Sequence, residues 1–403
     1  MRGWRAALLL VLLPVMAGAA AADDAEQWPV GNAWTMWEDP YIIGSYRHWK
    51  EIYPVRVVEA GTEQPLPYGP QLGPVEFWGN GEKLDVESYL ERARVTGLLV
   101  IKNGEIRLEA YGNGGDQDAL FTSNSVAKSV TSTLVGVALG QGLIDSLDDP
   151  VDKYIPELAD TAYAGVPIEA VLQMSSGVAF VEDYDSALSD SDRLWIDVAA
   201  RRTVSAHAFL MGMTETETAP YRVFNYKGTD TQALAWLIER VTGKTLSAYL
   251  SETIWNPVGM EADALWGVDD DDLDGASEIA FAALNARLRD FGRFGLLIAR
   301  DGVWNGNRIL PEGWVERATT PSSPQVMPGR LYQGYKLGYQ YQWWVYPDGT
   351  FTAQGINGQF IYVDRSRDLV VVQTAGWSDW WDTHLEHMFE DFVRKVAQMT
   401  DAE

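Results

Sequence analysis

At 403 residues, with 46% hydrophobic and 22% charged residues, the chain has an ordinary globular composition and can bury a sizeable core; 17 Trp and 18 Tyr exclude a disordered chain. The 57 Asp and Glu against 31 Lys and Arg give a formal charge of -26, which opposes binding to nucleic acid or an anionic membrane and reads as a solubility feature. The absence of Cys excludes disulfides, thiolate metal sites, a cysteine nucleophile and a lipidated cysteine anchor.

The chain opens on Arg2 and Arg5, an apolar run from Ala6 to Met16 and the small residues Ala20-Ala21-Ala22, the three parts of a removable signal peptide over 1–22. A membrane span needs about 18 to 20 apolar residues, and this run is shorter and holds Pro14. The expected location is periplasmic or secreted, with a mature chain that begins near Asp23. From 23 to 90 follows an extension rich in rings (Trp28, Trp34, Trp37, Tyr41, Tyr46, Trp49, Tyr53). Such rings either line a cleft or pin an extended arm onto a domain, and pinning is the expectation.

The remaining chain, 91–403, reads as one hydrolase-sized domain. Residues from Gly97 onward alternate as two strands joined by Asn103-Gly104, a hairpin signal. Between Val126 and Ile298 the apolar spacing is helical, with a helical subdomain expected over roughly 143–290. Strand patterns return at 350–353, 359–364 and 369–374, ahead of an amphipathic helix from about Trp380 to Met399. Strands from both ends and a helical middle predict an α/β fold of the α+β type: an antiparallel sheet flanked by helices plus a mainly helical subdomain.

The usual nucleophile signatures are missing. No Gly-x-Ser-x-Gly elbow occurs, and His48, His207, His384 and His387 form no His-Glu-x-x-His metal motif. Asp270, Asp272, Asp274 and Gly275 imitate the start of a calcium loop, but Phe281 stands where its bidentate Glu belongs, so the run reads as a solvated loop; no metal and no cofactor is expected. What does occur is Ser125-Val126-Ala127-Lys128 at the head of a helical pattern. Residues three apart share a helix face, which sets the amine beside the hydroxyl, at a helix terminus that favours developing negative charge. A Lys in a partly dry cleft loses its proton readily and can serve as base to the Ser. The spacing by itself is equally that of an ordinary amphipathic helix.

The segment from Ser125 through SVTSTLVGVALGQGLIDSLDDPVDKYIPEL resembles the active-site helix and following loop of the serine β-lactamase and penicillin-binding-protein superfamily. EAVLQMSSGV, LSAYLSETIWNPVGM, LRDFGRFGLLIARDGVWNGNRILPEGWV and GQFIYVDRSRDLVVVQTA resemble family segments in the same order. The resemblance implies Ser125 as nucleophile, with Lys128 and Tyr226, in Asn225-Tyr226-Lys227-Gly228, as proton carriers; a phenol acting as phenolate base needs a cationic neighbour, and Lys128 is the candidate. The family's Lys-Thr-Gly on its edge strand corresponds to Ala353-Gln354-Gly355, of which only Gly is kept, and the Ser125 and Ile356 amides become the implied oxyanion hole. The pattern is most similar to the 6-aminohexanoate-dimer hydrolase and esterase branch, which implies Tyr184, Gln354 and Gly355 at the substrate, a small amide or ester. A peptidase or β-lactamase acting on cell-wall-like substrates, and a non-catalytic sensor that kept the fold, are the rival readings.

Overall fold

The computed structural model describes residues 27–402, so the expected signal peptide at 1–22 and the first residues of the extension lie outside it. Strands β1 (Val95–Lys102) and β2 (Glu105–Tyr111) form the expected hairpin; Asn103 and Gly104 both take positive φ, 55° and 81°, as a tight hairpin turn requires. Near the carboxyl end come β3 (Gly338–Gln340), β4 (Trp343–Val345), β5 (Phe351–Gly355), β6 (Gln359–Asp364) and β7 (Leu369–Ala375). They join β1 and β2 in one seven-stranded antiparallel sheet ordered β3-β4-β5-β6-β7-β1-β2.

Period-two alternation divides the sheet's side chains between two cores. Leu99, Ile101, Ile361, Val363, Val370 and Val372 belong to the main hydrophobic cluster, whereas Leu98, Val100, Phe360, Tyr362, Leu369 and Val371 pack with Phe389, Phe392 and Val396 of the terminal helix. Four helices matter for the site: α1 (Val126–Gly140), α2 (Gly228–Thr242), α3 (Leu288–Ala299) and α4 (Thr383–Asp401). Helix α3 lies close on the sheet because Gly292 and Gly295 face it; a Cβ there would come within 2.6 Å of Leu99 and 2.7 Å of Val370.

Helix α1 is buried on every side from Val126 to Ala138, so its hydroxyls must find partners inside the protein. Ser129 and Ser132 donate to the carbonyls of Gln342 and Tyr341 at 2.6 Å each, where the chain passes between β3 and β4 with positive φ at both residues. Helix α1 is thereby fastened to the sheet by its polar residues and to α2 by its apolar ones.

Three features depart from the sequence reading. A second, four-stranded sheet (Val55–Val58, Ala264–Gly267, Leu284–Ala286, Phe121–Thr122) crosses the stretch expected to be helical throughout. Its strands are only two to four residues long, and three of the four are fully or largely buried, so they carry little alternation to read. Strands β3 and β4 were likewise not expected. Finally, β5 is not an edge strand: β4 covers Phe351 and Thr352, leaving only the Ala353–Gly355 end free of a partner on that side.

Candidate active site

The structure brings all of the proposed site residues to one cleft where α1, α2 and the end of β5 meet. Ser125 sits at the amino terminus of α1, after Asn124, whose φ of 43° is a left-handed conformation uncommon outside Gly. Lys128 Nζ donates to Ser125 Oγ at 2.9 Å and to the Phe281 carbonyl at 2.9 Å, and its side chain is buried. Burial lowers the Lys128 pKa to about 8, and the negative charge of Glu182 acts in the opposite direction. The amine therefore loses its proton far more readily than an ordinary lysine, as a base requires.

Tyr226 lies across the cleft, with Lys128 Nζ 4.9 Å from its ring centroid. The segment that carries it is stitched on both sides: Asn225 Nδ2 donates to the Phe180 carbonyl at 3.0 Å and Lys227 Nζ to the Val178 carbonyl at 2.7 Å. Burial, with the charge of Glu182, drives the Tyr226 phenol far above its ordinary pKa, opposed by its interaction with Ser125. The direction of this shift favours the phenol, a form suited to passing a proton on, over a phenolate.

Gly355 is required by close approach. A Cβ at this position would lie 2.5 Å from the Ser123 carbonyl oxygen, so any side chain would push the following Ile356 amide away from Ser125. Among the described residues neither the Ser125 nor the Ile356 amide makes a turn or loop backbone hydrogen bond, which leaves both as candidates to hold an oxyanion. Asn124 Nδ2 donates to the Ile356 carbonyl at 2.8 Å and to Tyr46 Oη at 3.2 Å, and Tyr46 donates to Asn357 Oδ1 at 2.7 Å. One phenol from the amino-terminal extension thus ties together the two turns that bear the oxyanion donors.

Two contributors escaped the sequence reading. Glu182 accepts from the Gly228 amide at 3.1 Å and from the Tyr184 hydroxyl, and it is the anion nearest in effect to both proton carriers. It was legible only as part of an acidic loop. The second is the extension itself, whose rings do pin it: Trp37 packs edge-on to Tyr46, Trp49 and Trp195 at 5.7, 6.2 and 5.0 Å. But Trp34, Trp37 and Glu38 also form a wall of the cleft, so the expectation of pinning alone was incomplete. Tyr184 lines the cleft together with Ser125, its ring 5.1 Å from that of Trp380, whose indole N–H donates to Asp185 at 2.9 Å. This bar divides the cleft into a lobe of about 440 Å³ beside the extension and one of about 390 Å³ beside Tyr226 and Gln354.

The electrostatics carry a prediction. Removing the charge in Glu182→Gln withdraws the influence that holds the Lys128 proton on, so the Lys128 pKa falls. The acidic limb of the kcat/KM profile, along which the amine becomes neutral, should move to lower pH. A limb that stays in place or moves up would show that Glu182 does not set the protonation of Lys128.

Compared with known proteins, residues 85–380 match the family model described as Beta-lactamase. The chain belongs to the beta-lactamase family. Within that family it is 29% identical over 327 residues to the 6-aminohexanoate-dimer hydrolase of Paenarthrobacter ureafaciens, covering 79% of this chain and 82% of that one. A solved structure provisionally assigned as a 6-aminohexanoate-dimer hydrolase from Bacillus anthracis superposes with a TM-score of 0.79 at 25% identity, over 91% of this chain and 96% of that one. A family VIII carboxylesterase shares the fold at a TM-score of 0.58 and 18% identity, over 77% and 95% of the two chains. Two positions depart from the beta-lactamase pattern for visible reasons. Gly228 replaces the Asn of Tyr-x-Asn, and a Cβ there would already stand 3.1 Å from Leu194 and Phe281. Ala353 replaces the Lys of Lys-Thr-Gly and is fully buried in the main core.

Proposed function

We propose that this protein is a serine hydrolase that cleaves amide or ester bonds of small substrates through an acyl-enzyme on Ser125, in the manner of 6-aminohexanoate-oligomer hydrolases and related esterases. The observation that carries the reading is the 2.9 Å contact between the Lys128 amine and the Ser125 hydroxyl inside a cleft, with the amine's pKa lowered by burial. Ser125 Oγ attacks the carbonyl carbon as its proton passes to neutral Lys128; the Ser125 and Ile356 amides receive the oxyanion. Collapse expels the leaving amine or alcohol, which takes its proton from Lys128 by way of the Tyr226 hydroxyl. Water then attacks the acyl-enzyme and gives its proton to the same pair, which returns it to Ser125 Oγ as the ester bond breaks and the acid leaves.

The names of the relatives support amide and ester chemistry on small molecules over peptidoglycan. The departures at Ala353 and Gly228 support the same choice against a β-lactamase. A charge-assisted hydrogen bond to the β-lactam carboxylate is worth about 1.5 to 3 kcal/mol, so its loss should weaken handling of that anion roughly 10- to 150-fold. On one preparation, kcat/KM for nitrocefin should fall far below that for p-nitrophenyl butyrate or the 6-aminohexanoate dimer. Nitrocefin as the best of the three would hand the function to the β-lactamase reading, and turnover of none would favour a sensor. Export to the periplasm or medium remains part of the proposal, and retention of residues 1–22 in protein recovered from its host would refute it.

A further inference from the structure

Ser125, Glu182, Tyr184, Ile356 and Trp380 border both lobes of the cleft, but Tyr226 borders only the smaller one. The proton that a departing amine or alcohol requires comes through Tyr226, so the leaving atom must face that side. The lobe is walled by Tyr226, Tyr332, Tyr335, Trp344 and Trp381, and these rings brace one another. Trp344 meets Tyr226 at 5.5 Å and Tyr335 at 5.5 Å, and Tyr332 meets Tyr335 at 6.3 Å. Packed tilted and edge-to-face in this way, the walls are preformed for a flat or alkyl group.

On the floor lies Gln354, only 4% exposed. Its Oε1 accepts from the Tyr335 hydroxyl at 3.4 Å, while its Nε2 has no partner among the described residues. A buried donor left without an acceptor is costly, and none of the phenol oxygens or carboxyls of the lobe is placed to accept from it. The only ionisable side chains on the lining besides the tyrosines are the carboxyls of Glu182 and Asp183; neither Lys nor Arg borders the lobe. Together these features reject an anion and leave one directed hydrogen bond to offer.

Resting on the acyl-transfer reading above, we infer that the aromatic lobe receives the leaving group and selects one whose portion inside the lobe is uncharged and presents a hydrogen-bond acceptor to the Gln354 amide, any carboxylate on a longer leaving group lying beyond the rings. The acyl half of the substrate then occupies the larger lobe beside the amino-terminal extension.

Three butyrate esters with closely similar leaving groups test this: those of phenol, methyl 4-hydroxybenzoate and 4-hydroxybenzoate, the last anionic. Each kcat/KM is divided by the ester's rate of alkaline hydrolysis to remove intrinsic reactivity. After that correction the methyl 4-hydroxybenzoate ester should exceed both others, the anionic ester by about 10-fold or more. Gln354→Leu, and the near-isosteric Gln354→Glu as a second variant, should erase the advantage of the methyl ester over the phenyl ester. An anionic ester as good as the methyl ester, or an advantage that survives in both variants, overturns the inference while leaving acyl transfer intact. No turnover of the phenyl ester and no acylation of Ser125 by intact mass overturns acyl transfer and the inference together.

Discussion

Exposure to a fluorophosphonate should add one adduct to the intact mass of the wild-type protein and none to Ser125→Ala, and the same substitution should reduce ester hydrolysis by about 10⁴-fold or more. The size follows from the absence of an alternative. Lys128 is directed at Ser125 Oγ, and the two nearest serine hydroxyls along the chain are engaged elsewhere: Ser123 donates to the Asn124 carbonyl at 3.0 Å and Ser129 to that of Gln342 at 2.6 Å. Removing the hydroxyl thus leaves the base with nothing to activate but water. An adduct that persists in Ser125→Ala would mean that the nucleophile lies elsewhere. A lost adduct with hydrolysis unchanged would mean that the reaction does not pass through Ser125.

Lys128→Ala and Tyr226→Phe should each lower kcat by about 10²-fold or more. The double variant should lose little beyond the worse of the two, because both groups handle one proton on one path and breaking it twice costs little more than breaking it once. The placement motivates this: the amine contacts Ser125 Oγ directly and lies against the Tyr226 ring, and no His lies close enough to replace either. Losses that multiply would assign the two residues separate tasks. A near-normal rate in Tyr226→Phe would leave Lys128 to carry the proton both ways.

What the sequence disclosed, and what it withheld, follows from how far each signal reaches along the chain. The hairpin at Asn103-Gly104 and helix α1 were legible because their determinants are local: two residues that tolerate positive φ, and an apolar run of helical length. Ser125 and Lys128 were legible because one turn of helix joins them. Glu182 was not, since its meaning depends on the Gly228 amide and on Lys128, both far away in sequence. Tyr46 was hidden for the same reason, being one ring among many in the extension until the fold sets it between Asn124 and Asn357. The small second sheet was hidden by brevity, because strands of two to four residues, most of them buried on both faces, leave too short a pattern to read.

The protonation of Tyr226 was also beyond the sequence. A cationic neighbour was visible in Lys128, but the sign of the shift is decided by desolvation and by the anion Glu182, and both require coordinates.

Trp34, Trp37 and Glu38 stand well before residue 85, where the match to the family begins, yet they wall the lobe assigned to the acyl group. The groups proposed to make and break bonds thus lie in one stretch of chain, and part of the surface proposed to hold the acyl half in another. Exchanging the segment 27–38 between relatives would re-cut that surface with Ser125, Lys128 and Tyr226 untouched, which gives this chain an evolutionary degree of freedom: new acyl groups can be tried without re-inventing the acylation step.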